Sequence, residues 1–257
     1  MSKQGIKRMK YKKDFLDKVI VRIDFDTPLP ITANGPAKSI YNVVKKRFPI
    51  TEEKTIMGKE LLIGPNITQE QPIEKKEWNY YGEKREKQLT ISLETMFIKY
   101  NKYEYYEMLR EDFLSVLGAL LTAYPKLQIK RLGLRYIDNI KIPNENPLEW
   151  DRYLKPALTG IFAIAETKET ISRAFHVLEL NNGEDSLRFQ FGMFNPDYPA
   201  PIKKKAYILD HDIYVSKIID SSEIVETLDR FHATISHSFE EVITDDLRKL
   251  MGPINER

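Results

Sequence analysis

Two stretches of the chain carry residues whose spacing suits chemistry. Asp210-His211-Asp212 sets two carboxylates two residues apart, which on a β-strand turns both to one side. Paired carboxylates share a proton or hold a divalent cation. Arg131 and Arg135 flank Gly133 within Leu127 to Ile142, the longest alternation of apolar and polar residues in the sequence. Two guanidiniums beside a glycine suit a phosphate or a carboxylate, because the missing side chain lets a ligand approach between them. Arg131, Arg135, Asp210 and Asp212 are therefore the candidate ligand-binding residues. A plainer reading stands beside each. Asp24 and Asp26 repeat the acid pair on another strand-like stretch, as solvated strand faces do. The arginines equally suit cross-strand pairing with acids such as Glu94 or Asp24.

Other chemistries find no residues to carry them. There is no cysteine, which removes disulfides, thiolate metal sites and thiol nucleophiles. The four histidines are His176, His211, His232 and His237. None sits in H-E-x-x-H, and five residues on a helix turn His232 and His237 about 140° apart. No phosphate-binding glycine loop or nucleophile elbow is present. The sequence thus nominates no catalytic residue, metal site or cofactor and leans away from an enzyme. A metal-dependent enzyme acting on nucleotides or nucleic acid is the alternative. It needs at least three of Asp24, Asp26, Asp210, Asp212, Glu240, Asp245 and Asp246 to converge.

A formal net charge of +2 with 30% charged residues lacks the basic excess of most nucleic-acid binders. A local route to nucleic acid remains through a basic arm over residues 1–18, joined by Arg131, Arg135 and Lys203-Lys204-Lys205. Aromatics at Phe175 and from Phe189 to Phe194 suit base stacking, and a buried core equally well. No apolar run reaches the length of a membrane span, and the N-terminal segment has no apolar core of a signal peptide. The expectation is a cytoplasmic protein with no membrane contact.

The elements that would position these residues read as two similar α+β halves, residues 19–142 and 143–257, each an antiparallel meander followed by a long amphipathic helix. In the first, Val19 to Asp26 is a strand stopped by Pro28 and Pro30, and Ala37 to Phe48 is a short helix. Leu61-Leu62-Ile63 is a short strand before a loop over 64–75. Trp78 to Lys84 and Leu89 to Tyr100 form a hairpin. Tyr103 to Tyr124 is a helix whose Gly118 suggests a close crossing. Pro143 to Pro147 marks the boundary. In the second, Ile171 to Leu180 and Leu187 to Phe194 pair around N-N-G-E-D, and Ala206 to Val215 is a third strand. Asp220 and Glu223 fit a capping box before a helix with Phe231, Ile235, Phe239 and Val242 on its buried stripe and Glu240 exposed. Thr244-Asp245-Asp246 is placed to start a new helical turn.

Three segments, R-L-G-L-R-Y-I-D at 131–138, Y-I-L-D-H-D-I-Y at 207–214 and H-S-F-E-E-V-I-T-D-D-L-R at 237–248, together with V-I-V-R-I-D-F near the start, carry a resemblance. The chain resembles a family of sporadically distributed prokaryotic proteins of about 250 residues with no assigned biochemical function. His211 stands where that family usually has an apolar residue between the two aspartates. The resemblance transfers no catalytic residue. It implies an accessory, horizontally moved gene in defence or in a mobile element. With the missing catalytic constellation, it points to a non-enzymatic protein-binding or assembly component acting with a protein partner or as a homo-oligomer.

Overall fold

The computed structural model describes residues 10–31, 35–63 and 68–254, and of residues 56–63 and 68–75 the backbone alone. In chain order the elements are β1 (Lys10–Tyr11), β2 (Leu16–Phe25), α1 (Lys38–Val44), β3 (Ile50–Ile63), β4 (Thr68–Tyr81), β5 (Lys87–Ile91), β6 (Thr95–Tyr100), α2 (Tyr106–Ala123), β7 (Ile129–Lys141), α3 (Pro156–Thr159), β8 (Ala174–Asn182), β9 (Asp185–Met193), β10 (Ala206–Val215), α4 (Ile224–Val242), α5 (Asp245–Met251) and β11 (Pro253–Ile254). The architecture is α+β with antiparallel sheets. No described helix is long and apolar enough to cross a membrane.

The chain forms two compact units. The inserted unit takes Ile20–Leu132 with Ser216–Ile224, and the split unit gathers Met1–Val19, Gly133–Val215 and Val225–Arg257. These cuts fall at other places than residues 18 and 142. Strands β2 and β7 each run through both units, so the alternating stretch around Gly133 belongs half to one and half to the other.

In the inserted unit the strand order is β3-β4-β5-β6-β2-β7. Val19, Val21, Ile23 and Phe25 of β2 are buried at alternate positions, as the period-two pattern predicts. Two elements differ from the sequence reading. The expected short strand at 61–63 and the described part of the expected loop, 68–75, belong to two fourteen-residue strands, β3 and β4, paired antiparallel from Ile50↔Tyr81 to Ile63↔Thr68, and residues 64–67 lie outside the described residues. Residues Thr51 to Thr55 of β3 are exposed and mostly charged. Those residues carry no apolar alternation that would reveal the strand. The expected strand over Leu89 to Tyr100 is itself two strands. Ser92 Oγ accepts from the backbone N–H of Thr95 at 3.1 Å and of Glu94 at 3.3 Å, forming a tight turn. Burial then switches parity, from Leu89 and Ile91 to Met96, Ile98 and Tyr100.

Helix α2 buries Leu109, Phe113, Val116, Leu117 and Leu120. Gly118 is not at a close crossing: a Cβ there would meet nothing within 4 Å. Asp112, on the buried side, is 1% exposed. It accepts from Arg47 Nη1 at 2.7 Å, from Lys87 Nζ and from the Tyr100 hydroxyl. This one carboxylate ties together α2, the turn after α1, β5 and β6.

In the split unit the order is β2-β7-β10-β9-β8. Its core contains Trp150, Tyr153, Leu154, Phe189, Tyr207, Leu209, Ile243 and Leu247. The proline-punctuated segment read as a boundary leads straight into core residues. Lys205, whose side chain is 2% exposed, holds this segment. Its ammonium bonds Glu145 at 3.1 Å and the Glu149 carbonyl, and lies 5.2 Å from the ring centroids of both Trp150 and Tyr153.

The C-terminal helices divide at Thr244, as read from the sequence. Its hydroxyl caps α5 by accepting from Leu247 N–H at 3.4 Å, and Gly252, at φ +70°, ends α5. Upstream, Asp220 does not close a capping box. Its carboxylate bonds the N–H and hydroxyl of Ser222, at 2.8 and 2.6 Å, ahead of α4. Phe231 and Ile235 are buried, while Phe239 and Val242 are only partly so. Glu240 is no bare surface acid: it accepts from Tyr11 Oη at 2.7 Å and Arg248 Nε at 2.9 Å. The N-terminal stretch is tied at the same place. Lys10 and Tyr11 pair with Ile254 and Pro253, and the backbone N–H groups of Lys12 and Lys13 bond Gly252 and Met251. Residues 10–18 of the expected arm are therefore built into the unit, and residues 1–9 lie outside the described residues.

Candidate functional site

Sheet register assembles the open face of the split unit. Asp210 lies opposite Gln190 and Asp212 opposite Arg188, while Val177 faces Gln190 and Glu179 faces Arg188. Two lanes result, Val177-Gln190-Asp210 and Glu179-Arg188-Asp212. Arg135 of β7 completes the first lane. It donates from Nε and Nη2 to the two carboxylate oxygens of Asp210, at 2.8 and 2.6 Å. This two-pronged pair is the strongest geometry available to a guanidinium and a carboxylate. The bonds to Asp210, with the negative fields of Asp210 and Asp212, hold the Arg135 guanidinium even more firmly protonated than usual. Arg135, Asp210 and Asp212 thus come together on one face. Arg131 falls in the inserted unit.

This pairing changes what the residues can do. Asp210 is 7% exposed at the side chain, and its charge is met by Arg135. An incoming phosphate or carboxylate would have to displace Asp210 and leave it buried and unpaired, which is strongly unfavourable. The arginine is therefore committed to holding β7 against β10 in place of capturing an anion.

Ionisable groups of another kind lie on the opposite, helix-covered face. Asp138 is 5% exposed on the same lane of β7 as Leu132, Leu134, Tyr136 and Ile140. Burial pushes its carboxyl up to about 8, and the negative charges of Asp14 and Asp210 push the same way. It is a neutral acid at pH 7. His211 is fully buried and stacked on Phe189, with ring centroids 4.2 Å apart and planes 14° from parallel. Neither ring nitrogen has a hydrogen-bond partner, and burial pushes its pKa down to about 3. Next to Asp138 along β7, the Tyr136 hydroxyl and His232 Nδ1 are 2.7 Å apart in the interior.

Several of the acids expected to converge on a metal are engaged elsewhere. Asp24 pairs with Arg22 at 2.7 Å, Asp245 with Arg248 at 2.8 Å and Asp246 with Arg152 at 3.1 Å. Among the described residues no three His, Asp or Glu side chains are grouped as a metal would require. Lys205 is enclosed, which leaves Lys203 and Lys204 as the exposed part of the basic run. An open recess in the inserted unit, lined by Thr27, Pro28, Pro30, Tyr124, Pro125 and Leu127 among others, contains none of the candidate residues.

Sequence reasoning passed over Asp112 and Asp138, and read Lys205 only as part of a basic run for nucleic acid. Asp138 had a signal: it is the single acid in the apolar lane of β7. Asp112 likewise lies on the buried side of the α2 stripe. Lys205 had none beyond its place in a run of three lysines. Compared with protein-family models and with curated proteins, the chain matches neither any family model nor any curated protein.

The last strand of the split unit differs from the rest. β8 ends the strand order, and no described strand pairs with its outer edge. Phe175 and Val177 on one face, and Leu178 and Leu180 on the other, are 38–51% exposed. A terminal strand with apolar side chains on both faces is what proteins ordinarily shorten, charge or cover.

Proposed function

We propose that this chain is a non-enzymatic binding or assembly component that works through protein contact, in a defence or mobile-element setting of the kind the family resemblance implies. The observation that carries this reading is β8, whose exposed apolar side chains flank an edge with no described neighbour. The candidate polar residues support it indirectly, because Arg135 and Asp210 satisfy one another. The element order supports treating the halves as related modules, since β3 to β6 precede α2 and β8 to β10 precede α4. Co-purification from the native host tests the function. Tagged wild-type chain should retain a protein, either a further copy or another polypeptide, that Leu178→Asp loses while keeping its thermal midpoint. A wild-type chain that retains no protein, or a variant that retains the same ones, removes the reading.

A further inference from the structure

We infer that the occupant of the β8 edge is a second copy of this chain, paired antiparallel about a two-fold axis at His176. This rests on the protein-binding reading above and names its partner.

The hairpin geometry sets which backbone groups are on offer. Asn182 and Asp185 flank a two-residue turn at Gly183-Glu184, with Gly183 at φ +66°. Flanking residues of such a turn bond one another, and ladder bonds alternate along an antiparallel pair. The backbone groups facing outward from β8 therefore belong to Phe175, Val177, Glu179 and Asn181. Two copies can pair only in registers that set these odd-numbered residues opposite one another, with the axis at His176, Val177 or Leu178.

Charge selects among these registers. One face of the segment reads Arg173, Phe175, Val177, Glu179: a cation, two apolar residues and an anion. With the axis at His176, Arg173 meets Glu179 of the second copy, Phe175 meets Val177, and both pairs recur by symmetry. The axis at Val177 sets Phe175 against Glu179, and the axis at Leu178 sets Val177 against Glu179. Neither joins opposite charges. The two charges are available. Arg173 lies over the Tyr198 ring at 4.5 Å, with no carboxylate paired to it among the described residues. Glu179, 65% exposed at its side chain, meets Arg188 only at 3.5 Å. On the other face the register sets Ala174 against Leu178 and brings the two His176 side chains together.

A contact of seven residues per copy is small, at the low end of specific interfaces, which bury below about 1,200 Å². Association is therefore expected at micromolar to high micromolar concentrations. Sedimentation equilibrium of the full chain tests it. Wild type should form dimers. Arg173→Glu and Glu179→Arg should each weaken association by about tenfold, since each sets like charges opposite one another at two symmetric positions. An equimolar mixture of the two variants should recover it. One variant then carries glutamate at both positions and the other arginine at both, so every charged pair across the axis is again of opposite sign. Val177→Pro, which removes an outward N–H, should abolish it. Unchanged thermal midpoints show that the charge variants fold. A wild type monomeric at hundreds of micromolar overturns the proposal, as do single variants that associate normally or a mixture that fails to recover. Co-purification of a different protein through β8 would then still uphold the protein-binding reading, so the two failures are distinguishable.

Discussion

Asp112 of the inserted unit and Asp138 of the split unit are both buried carboxylates, and the two are handled in opposite ways. Asp112 of the inserted unit lies among donors: an arginine, a lysine and a tyrosine converge on its two oxygens. Asp138 of the split unit has acids for electrostatic neighbours, and burial keeps it protonated. A protein interior accepts a carboxyl group by pairing its charge or by removing it. Pairing made Asp112 a fastener for three elements and the turn after α1. Neutralisation made Asp138 sensitive to pH. Low exposure alone does not tell a structural ion pair from a titrating acid; the neighbours do.

The largest effect expected is that of Asp112→Ala. It leaves Lys87, 12% exposed at its side chain, and Arg47 without their shared anion. Breaking a buried pair in this way costs about 3–5 kcal/mol, read as a lower midpoint in urea denaturation. A loss below about 1 kcal/mol, the worth of a surface pair, would place Asp112 with ordinary surface acids.

Asp138 should give the next largest effect, with a definite sign. Its folded pKa is raised to about 8 from 3.8, so the folded state holds a proton that the unfolded chain releases. This contribution is complete below about pH 4 and is lost as pH rises towards 8. Asp138→Asn, which cannot ionise, should be more stable than wild type at pH 8 by up to roughly 5 kcal/mol, and its stability should vary less between pH 4 and 8. Parallel pH profiles for the two proteins would count against a protonated Asp138.

His211 sharpens the comparison from the opposite charge type. Its pKa is pushed down to about 3 from 6.5, so the unfolded chain takes up the proton first. Stability is complete above about pH 6.5 and falls as pH drops towards 3. At pH 5 the loss is roughly 2 kcal/mol, and His211→Phe should remove it. Acid titrations of thermal midpoint that coincide for the two proteins would contradict this.

The smallest effect serves as a control on the same helix as Asp112. Gly118→Ala enters open space and should stabilise by about 0.5–1 kcal/mol, independently of pH. Destabilisation would mean that the glycine position is occupied after all.

Much of the fold was legible because packing imposes a period. β2, β7, β9 and β10 were read from alternation, and Thr244 was read as a helix start because its hydroxyl is placed to cap. The β3–β4 ladder was not legible, since Thr51 to Thr55 are exposed and mostly charged and offer no apolar alternation. The turn at Ser92 was missed because three residues of turn leave an alternating pattern almost intact. For the site, alternation assigned Arg135 and Asp210 to strand faces, but nothing in a sequence states that residues 75 apart meet. Glu94 and Asp24 were equally plausible partners, and Asp24 in fact bonds Arg22. The β8 edge was read as one strand of a hairpin. That it ends the sheet is a property of strand order, which is set by the whole chain.

The clasp around Lys205 has a use outside structure and stability. Its amine is enclosed by Glu145, Trp150 and Tyr153, while Lys203 and Lys204, two and one residues away, are exposed. An amine-directed reagent should therefore modify those two in the native protein and reach Lys205 only when the segment around Trp150 lets go. A single peptide then carries both the internal reference and the signal, and the labelling ratio measures the opening of the split unit without any engineered probe.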